Sequence, residues 1–377
     1  MNIAIFTDSF FPGIGGTEKA VYGLAKELSK TNNVAVIAPK YHNCNDKYSF
    51  TVIRVPSIQI SKNDYMAMPK LSCNLRKFLK EFKPDIIHSQ SASGVSGYGI
   101  RYAKKHKIPS VITIHTKFKM AFEKSIKSKT IVNILINSLL KIMNQATCVC
   151  TVSTDMIAEL QSYGFKDNIT VIRNGAMFDK IQDFSQNKVL AQNYFNINKS
   201  IPFLLFVGRI VTYKNIQVII DSLYNLKQNN IKFQMFFVGT GSDDDYFKKQ
   251  IKDLNITDNV TFTGEIKDKS LLSSLYSNAD LFLFPSKFDN DPLVVVESAV
   301  HRVPALTIAN TGSSERITNN KNGFITDSEL TFANSLQTLI QNKELIKTCG
   351  LNAELTIPKS WLTTSNEYLE IYKKIKE

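Results

Sequence analysis

The sequence predicts an α/β protein with two doubly wound parallel sheets, and three observations lead to this fold class. Short apolar segments alternate with segments of helical period along the first half, which is typical of a parallel sheet with helices on both faces. The alternation starts again near residue 203. A chain of 377 residues also exceeds what one hydrophobic core usually holds. We therefore expect two Rossmann-like domains that face each other across a cleft.

The first half of the chain supplies six short apolar segments that fit buried strands. Two of them come shortly after Pro84 and Pro109, because a proline ends the preceding helix. A glycine pair, Gly15 and Gly16, opens the first helix, which is predicted over residues 17–29. The strands predicted in this half are residues 2–6, 34–38, 85–88, 111–114, 147–152 and 169–172.

The second half repeats the pattern, and the joint between the halves falls near residues 175–200. We predict an N-terminal domain over 1–185, a C-terminal domain over 186–355, and a final helix over 356–377 that crosses back to the first domain. The predicted strands of the second half are residues 203–207, 233–238, 260–262, 281–284 and 304–308. The predicted helices are residues 215–228, 243–254, 270–278, 293–300 and 332–341.

Charge is distributed unevenly between the two halves. Residues 1–190 carry the whole formal net charge of +13, because residues 191–377 contain as many acidic as basic side chains. A one-sided positive field suits an anionic surface such as phospholipid, lipid-linked phosphate or nucleic acid. A genome that favours lysine is the alternative explanation. The lysine-rich stretch over 117–129 contains two aromatic rings, Phe118 and Phe122, which are too few for a base-stacking platform, so we expect no nucleic acid.

Cysteine usage and the N-terminus suggest a compartment. The five cysteines form no CxxC pair, which fits a reducing environment and indicates no metal site. The chain starts without a basic segment and reaches Asp8 too early for a signal peptide. No run of about 18 apolar residues is present. We expect a cytoplasmic protein that associates peripherally with the inner face of the cell membrane.

The most informative pattern is a pair of acids eight positions apart. Asp289 follows the end of a predicted strand, and Glu297 lies one turn into the next helix. Pro292 fits the first turn of that helix. The backbone N–H groups of Leu293 and Val294 would then be unpaired and form an anion site. Two acids beside a helix N-terminus can hold sugar and ribose hydroxyls while the helix end binds phosphate.

Two further loops carry candidate phosphate contacts. Arg209 and Lys214 follow the strand over 203–207, where two cations can neutralise a diphosphate leaving group; solvated surface cations are the alternative. Gly15 and Gly16 let the backbone approach a phosphate at a helix N-terminus, although a plain turn explains them equally well.

Three further features of the sequence bear on metal binding, on a possible histidine site and on the class of enzyme. The three aspartates over 243–245 indicate an acidic helix start rather than a metal site. His115 follows a strand directly and would face the ligand crevice of an open α/β sheet, whereas His88, at another strand end, is the weaker candidate. An ordinary half-buried histidine is the alternative for both. The chain lacks GxGxxG, which argues against a dinucleotide-dependent dehydrogenase.

Taken in order, these motifs resemble the family-4 glycosyltransferases over nearly the whole chain. The family pattern has two Glu separated by seven residues, and here Asp289 replaces the first, with a side chain one methylene shorter. The family usually has Gly after the lysine, where this chain has Asn215, which tolerates the same left-handed conformation moderately well. The resemblance implies the GT-B architecture, with a nucleotide-sugar donor mainly on the second domain and the acceptor on the first. It also implies retention of configuration and no metal or other cofactor.

The resemblance assigns a role to each candidate residue. Glu297 would bind the ribose hydroxyls, Asp289 the donor sugar, and the backbone at Ile266 the nucleotide base. His115 would stabilise the oxocarbenium-like transition state. The implied diphosphate-binding groups are Gly15, Gly16, Arg209, Lys214, Leu293 and Val294.

We therefore expect a retaining hexosyltransferase with a UDP-sugar as the favoured donor. The membrane-associated acceptor would belong to bacterial surface polysaccharide, lipopolysaccharide, capsule or glycolipid synthesis. A nucleotide-sugar epimerase on the same architecture and a basic nucleic-acid-binding protein are the alternatives. Residues 125–143 form a basic amphipathic segment that either rests on an anionic membrane or packs into the first domain, and the sequence favours neither.

Overall fold

The structure is a computed structural model that describes residues 1–13, 15–60 and 65–377. The chain divides into two compact units. The first unit contains Met1–Gly175 together with Lys359–Glu377, and the second contains Ala176–Pro358. The last segment of the chain therefore belongs to the same unit as its beginning.

Strands and helices alternate through both units. The strands are β1 (Asn2–Phe6), β2 (Asn33–Pro39), β3 (Thr51–Val55), β4 (Ser57–Gln59), β5 (Tyr65–Ala67), β6 (Ile86–Ser89), β7 (Ser110–Ile114), β8 (Cys148–Thr151), β9 (Ile169–Val171), β10 (Phe203–Val207), β11 (Gln234–Val238), β12 (Val260–Gly264), β13 (Leu281–Leu283), β14 (Ala305–Ile308) and β15 (Phe324–Thr326). The α-helices are α1 (Gly16–Leu28), α2 (Cys73–Phe82), α3 (Gly94–His106), α4 (Phe118–Ser125), α5 (Lys129–Met143), α6 (Asp155–Ser162), α7 (Phe184–Phe195), α8 (Ile216–Gln228), α9 (Asp244–Asp253), α10 (Lys269–Asn278), α11 (Leu293–Val300), α12 (Glu329–Ile340), α13 (Lys343–Thr356) and α14 (Trp361–Lys376).

Each unit contains one parallel, doubly wound sheet. In the first unit the strand order is β3-β2-β1-β6-β7-β8-β9, and every neighbouring pair in it is parallel. In the second unit the order is β12-β11-β10-β13-β14-β15, again with parallel pairs. The order reverses between β1 and β6 and between β10 and β13. Ligands of open α/β sheets bind at the carboxyl ends of the strands beside such a reversal.

Both faces of the first sheet are buried, as the sequence predicts. Ile3 and Ile5 of β1 pack in one apolar cluster, whereas Ala4 and Phe6, which point to the opposite face, pack in another. Helix α14 belongs to the first of these clusters through the buried Tyr372. A strand that is covered on both sides reads as a continuous apolar run, which is why these strands are recognisable from sequence.

The boundaries of the two units differ from the predicted domain boundaries. The first boundary lies at 175/176 instead of 185/186, because α7 is a single helix that packs within the second unit. Asn187 of α7 donates a hydrogen bond to Ser277 of α10 at 2.7 Å. The second boundary lies at 358/359 instead of 355/356, because α13 continues to Thr356.

Other differences concern irregular or exposed segments. Strands β3, β4, β5 and β15 were not predicted, because they are short or only partly buried. The basic segment over 125–143 is not one element, since α4 ends at Ser125 and α5 begins at Lys129 after the N-cap Ser128. Pro292 is the N-cap of α11, with φ −68° and ψ 115°, and not its first helical residue.

Candidate functional site

Two loops at the reversal point of the second sheet bring a cation and an acid together. Strands β10 and β13 are neighbours, so the loops that follow them leave the same edge of the sheet. Lys214 Nζ lies 2.6 Å from both Asp289 carboxylate oxygens. Ser286 donates a further hydrogen bond to Asp289 Oδ2 at 2.5 Å. The structure thus joins two of the predicted site residues that are 75 positions apart in sequence.

The loop after β10 is also held by hydrogen bonds to the start of α9. Asp243 accepts hydrogen bonds from the backbone N–H and the hydroxyl of Thr212, each at 2.6 Å, and these bonds lower the pKa of Asp243. Asp243 is the N-cap of α9, so the aspartate run is the acidic helix start that the sequence predicts. Among the described residues, no group of three His, Cys, Asp or Glu side chains could hold a metal ion.

Arg209 lies at the exposed side of the same loop. Its guanidinium carbon is 5.7 Å from the centre of the Tyr213 ring, which in turn lies 5.2 Å from the ring of Phe288 in the loop after β13. An aromatic face stabilises a cation. The two rings therefore connect the two loops, and Lys214 Nζ lies 5.9 Å from the centre of the same Tyr213 ring that Arg209 contacts.

Asn215 adopts the left-handed conformation that the sequence suggests for this position, with φ 59° and ψ 33°. Its side-chain amide donates to Pro285 O at 3.1 Å and to Glu329 Oε1 at 2.6 Å. Glycine would adopt this conformation more readily, but it would lose both hydrogen bonds. Asn215 therefore also ties the loop after β10 to the end of β13.

Helix α11 starts at Leu293, beside the loop that carries Asp289. The N–H groups of Leu293 and Val294 lie in its first turn, where the helix itself offers no carbonyl acceptor. The segment before the helix is held by Asp291, which forms a two-point ion pair with Arg316 at 2.6 and 2.7 Å. Both side chains of this pair are buried, which makes the position of the helix start well defined.

Glu297 lies inside the second unit rather than at its surface, with 1% of the residue exposed. The hydroxyl of Tyr276 donates to Glu297 Oε2 at 3.1 Å. Burial, together with the charge of Glu297, raises the pKa of Tyr276 well above its usual value. His301 contacts the Glu297 carbonyl at 2.6 Å, and burial lowers the pKa of this histidine. Sequence reasoning missed Tyr276, because nothing local distinguishes it from the other buried positions of α10.

Ile266 is half-buried in the loop between β12 and α10. Its side chain packs against the apolar core of the second unit, and the ligand contact that the family resemblance implies is made by its backbone. Asp268 caps the following helix through the N–H groups of Ser270 and Leu271.

The first unit places the glycine pair at the start of α1. Gly15 is the N-cap, with extended backbone, and Gly16 is the first helical residue. A Cβ added to Gly16 would meet nothing within 4 Å. A Cβ on Gly15 would lie 2.5 Å from Glu18 Oε2, so the carboxylate of Glu18 lies against the helix start. An anion approaching Gly15 would have to displace it.

His115 follows β7 and is half-buried. Its Nε2 lies 2.8 Å from Gln90 Oε1, in the loop after the neighbouring strand β6. His88, at the end of β6, is fully buried. Burial, and to a smaller extent the nearby His115, lowers the pKa of His88 to about 3. Gln90 was not predicted as a site residue, since a lone glutamine after a strand carries no recognisable pattern.

The basic segment of the first unit divides into packed and exposed residues. Lys117, which precedes this segment, is buried and forms an ion pair with Asp155. On α5, Leu139 and Ile142 are buried, whereas Ile131 and Ile134 are 49% and 62% exposed. Within the described parts of the chain, none of the helices is long and apolar enough to span a bilayer.

Sequence models of two families match the chain, one for each half. The model described as "Glycosyltransferase Family 4" matches residues 14–179, and the model described as "Glycosyl transferases group 1" matches residues 187–356. The chain is therefore a glycosyltransferase. The chain is a member of the family-4 glycosyltransferases and has their two-domain GT-B fold, and this membership favours a transferase over an epimerase.

The chain is also similar to individual relatives and to solved structures. The alpha-monoglucosyldiacylglycerol synthase of Streptococcus pneumoniae is 27% identical over 82% of this chain and 71% of its own. The GDP-mannose-dependent alpha-mannosyltransferase of Corynebacterium glutamicum is 21% identical over 100% of this chain and 89% of its own. The structure of Anabaena HepE in complex with UDP is 18% identical and has a TM-score of 0.77, covering 99% of this chain and 100% of that one.

Proposed function

We propose that this enzyme transfers a sugar from a nucleotide sugar to a membrane-associated acceptor, with retention of the anomeric configuration. A UDP-sugar is the favoured donor. The structurally similar HepE was solved with UDP, although one relative is named for GDP-mannose. The observation that carries the proposal is the loop pair at the reversal point of the second sheet, where two cations and a helix N-terminus lie beside one acid.

The diphosphate would bind to the positive groups of that loop pair. Lys214 and Arg209 supply two cations at the carboxyl end of β10, and the first turn of α11 supplies the N–H groups of Leu293 and Val294. Fixed cations and oriented amides stabilise the charge that develops on a leaving diphosphate. These groups take the role that a metal ion has in other transferases, so we propose that the reaction needs no metal.

Lys214 serves two ligands in this proposal. Its ammonium group already contacts both oxygens of Asp289, and an ammonium has three donors in total. A diphosphate oxygen would share Lys214 with Asp289 and leave the second carboxylate oxygen for a sugar hydroxyl. The short side chain of Asp289 therefore stays close to Lys214, and the donor sugar has to come within hydrogen-bond distance of this pair.

Three further roles are proposed on the strength of the family membership. Glu297 would bind the ribose hydroxyls. Because its carboxylate is buried and accepts a hydrogen bond from Tyr276, the ribose would have to reach below the surface of the second unit. The backbone at Ile266 would contact the base. In the first unit, Gly15 and Gly16 would contact phosphate, and His115 would stabilise the oxocarbenium-like state.

The acceptor is proposed to lie at an anionic membrane surface. The first half of the sequence carries all of the net positive charge, and α5 exposes Ile131 and Ile134 beside the exposed Lys127 and Lys129. Exposed apolar side chains flanked by lysines are typical of peripheral membrane binding. The relative from Streptococcus pneumoniae is named as a diacylglycerol glycolipid synthase, which makes a glycolipid or lipid-linked glycan the first acceptor class to test.

Removal of one leaving-group cation tests the proposal. Arg209→Ala is expected to lower kcat for transfer, or for slow hydrolysis of the donor, by about two to three orders of magnitude. Arg101→Ala is the matched control, because Arg101 is an exposed arginine of α3 in the other unit. If kcat is unchanged in both Arg209→Ala and the control, the proposal that the diphosphate binds to this loop is contradicted.

A further inference from the structure

A chain of hydrogen bonds in the first unit connects the last helix to His115. His88 Nδ1 lies 2.6 Å from the Tyr372 hydroxyl of α14. His88 Nε2 lies 3.1 Å from the Gln90 amide nitrogen, and Gln90 Oε1 lies 2.8 Å from His115 Nε2. One polar network inside the apolar first unit therefore joins three parts of the chain: β6 with its loop, the residue after β7, and α14.

The network is buried on the side away from His115. His88 and Tyr372 are fully buried, and Gln90 is 3% exposed. Thr113 contacts His88 Nε2 at 2.8 Å and Tyr368 at 3.0 Å, while the Gln90 backbone N–H donates to Phe6 O at 2.9 Å. A buried polar group that loses its partner is costly, so each member of the network holds its neighbour in place.

The proton positions follow from the chemistry of the amide. A carboxamide has one side that only donates and one side that only accepts. With the Gln90 amide oriented as it is in this structure, His88 Nε2 faces the donor side and accepts, and the single proton of His88 sits on Nδ1 and is donated to Tyr372. His115 Nε2, which faces the acceptor side, must carry a proton. Gln90 thus prevents the two Nε2 atoms from being protonated together or deprotonated together.

We propose that Gln90 is a positioning residue for His115: its amide fixes the orientation of the His115 ring and its Nε2–H tautomer, and His88, held by Tyr372, orients that amide. Burial keeps His88 neutral and supports this arrangement, because a doubly protonated His88 could not accept from Gln90. The consequence for catalysis rests on the proposed function, in which His115 acts near the donor sugar. The positioning itself does not.

The tautomers can be observed directly in the full-length protein. We would label the histidines with ¹⁵N and record imidazole ¹⁵N–¹H correlation spectra, with His115→Ala and His88→Gln to assign the two rings. The wild type is expected to show His115 as the Nε2–H tautomer and His88 as the Nδ1–H tautomer. Finding His115 as the Nδ1–H form in the wild type would overturn the proposal.

Two substitutions of Gln90 should change the tautomers of His115 and His88 in different ways. In Gln90→Leu the amide is gone, so His115 should lose its single tautomer and show averaged ¹⁵N shifts. In Gln90→Glu a carboxylate can only accept, so His115 should keep its Nε2–H form while His88 reverses to Nε2–H and accepts from Tyr372. Ser89→Ala is the control, because Ser89 neighbours Gln90 but hydrogen bonds to Ser96 O instead. Unchanged ring spectra in both Gln90 variants would contradict the inference even if one of them were unstable.

Activity separates this inference from the proposed function. If His115 acts in transfer, Gln90→Leu should lower kcat by about 10- to 100-fold, the range expected for a displaced catalytic group, with little change in KM for the donor. A change of tautomer without a change of kcat would leave the positioning intact and remove His115 from the proposed mechanism.

Discussion

Lys214 forms a two-point contact with Asp289 in the candidate donor site, with Nζ 2.6 Å from both carboxylate oxygens. The pair joins the loops after β10 and β13, the two strands between which the strand order of the second sheet reverses. Because Asp289 neutralises part of the charge of Lys214, the proposed donor site would couple diphosphate binding to the position of the sugar through this pair. Changing either residue should therefore affect the two halves of the donor differently.

The substitution Asp289→Asn separates binding of the nucleotide from transfer. It removes the negative charge beside Lys214, so UDP should bind at least as tightly as to the wild type. Transfer should fall about 100-fold, because the sugar loses its charged partner in the transition state. Isothermal titration with UDP and initial-rate kinetics measure the two effects. Asp289→Glu keeps the charge and is the control that should retain activity; loss of UDP binding together with transfer in the Asn variant would contradict the assignment.

The glycine pair can be tested without disturbing the fold. Because a Cβ on Gly16 meets nothing within 4 Å, Gly16→Ala should fold normally and stabilise α1 by about 0.5 kcal/mol. If the backbone approaches a phosphate here, the added methyl group should nevertheless slow transfer by about tenfold or more.

Gly23→Ala is the matched change on the same helix. Its Cβ would lie 2.2 Å from the ring of Trp361, so this variant should lose about 1–3 kcal/mol of stability. Thermal unfolding and kinetics of both variants check the prediction. Wild-type activity in a stable Gly16→Ala protein would exclude close approach of a phosphate at this glycine.

The buried His88 should make the stability of the first unit depend on pH. Its folded pKa of about 3 lies below the unfolded value of about 6.5. Between these values the unfolded chain binds a proton and the folded chain does not, so stability falls as pH decreases, by about 1.4 kcal/mol per pH unit. Above about pH 6.5 the effect is absent.

A histidine-to-glutamine comparison isolates this effect. Between about pH 7 and pH 5, wild type should lose about 2 kcal/mol more than His88→Gln in urea unfolding. His106→Gln, which changes an exposed histidine of α3, should behave like the wild type. Equal pH dependence in the His88 variant and the wild type would show that His88 is not held neutral by burial.

Exposed isoleucines of α5 give the membrane proposal a direct test. Ile134→Gln should weaken binding to phosphatidylglycerol vesicles by roughly fivefold, equivalent to about 1 kcal/mol of apolar transfer, without changing thermal stability. Leu330→Gln is the matched control, because Leu330 is 91% exposed but lies in the second unit. Sedimentation with phosphatidylglycerol and phosphatidylcholine vesicles measures both. Equal binding of the wild type and Ile134→Gln would exclude this face of α5.

Much of the fold and part of the site could be predicted because their signals are local in sequence. Strands such as β1 and β10 are buried on both faces and read as apolar runs, and Asn215 can be recognised as a left-handed residue after Lys214. The partners of Glu297 and His115 could not be predicted in this way. Tyr276 is 21 positions from Glu297, and Gln90 is 25 positions from His115. Only the packing of α10 near α11 and the pairing of β6 with β7 bring these residues together.

The sequence also does not show which lysine and isoleucine side chains of the first unit are exposed. Lys117 looks like the other lysines around it, but its pairing with Asp155 depends on how α6 packs. Ile131 and Ile134 have the same helical spacing as buried residues of α5, and only the packing of the unit decides which apolar side chains face outward.

The most direct test of the central claim, that the second unit binds a nucleotide sugar through this loop pair, is a thermal-shift and hydrolysis screen. UDP-, GDP- and ADP-sugars would be added without metal to the wild type and to Glu297→Ala. We predict that one nucleotide sugar raises the Tm of the wild type alone and is slowly hydrolysed by it. If no nucleotide sugar shifts either protein, or if one shifts both equally, the proposed donor site is contradicted.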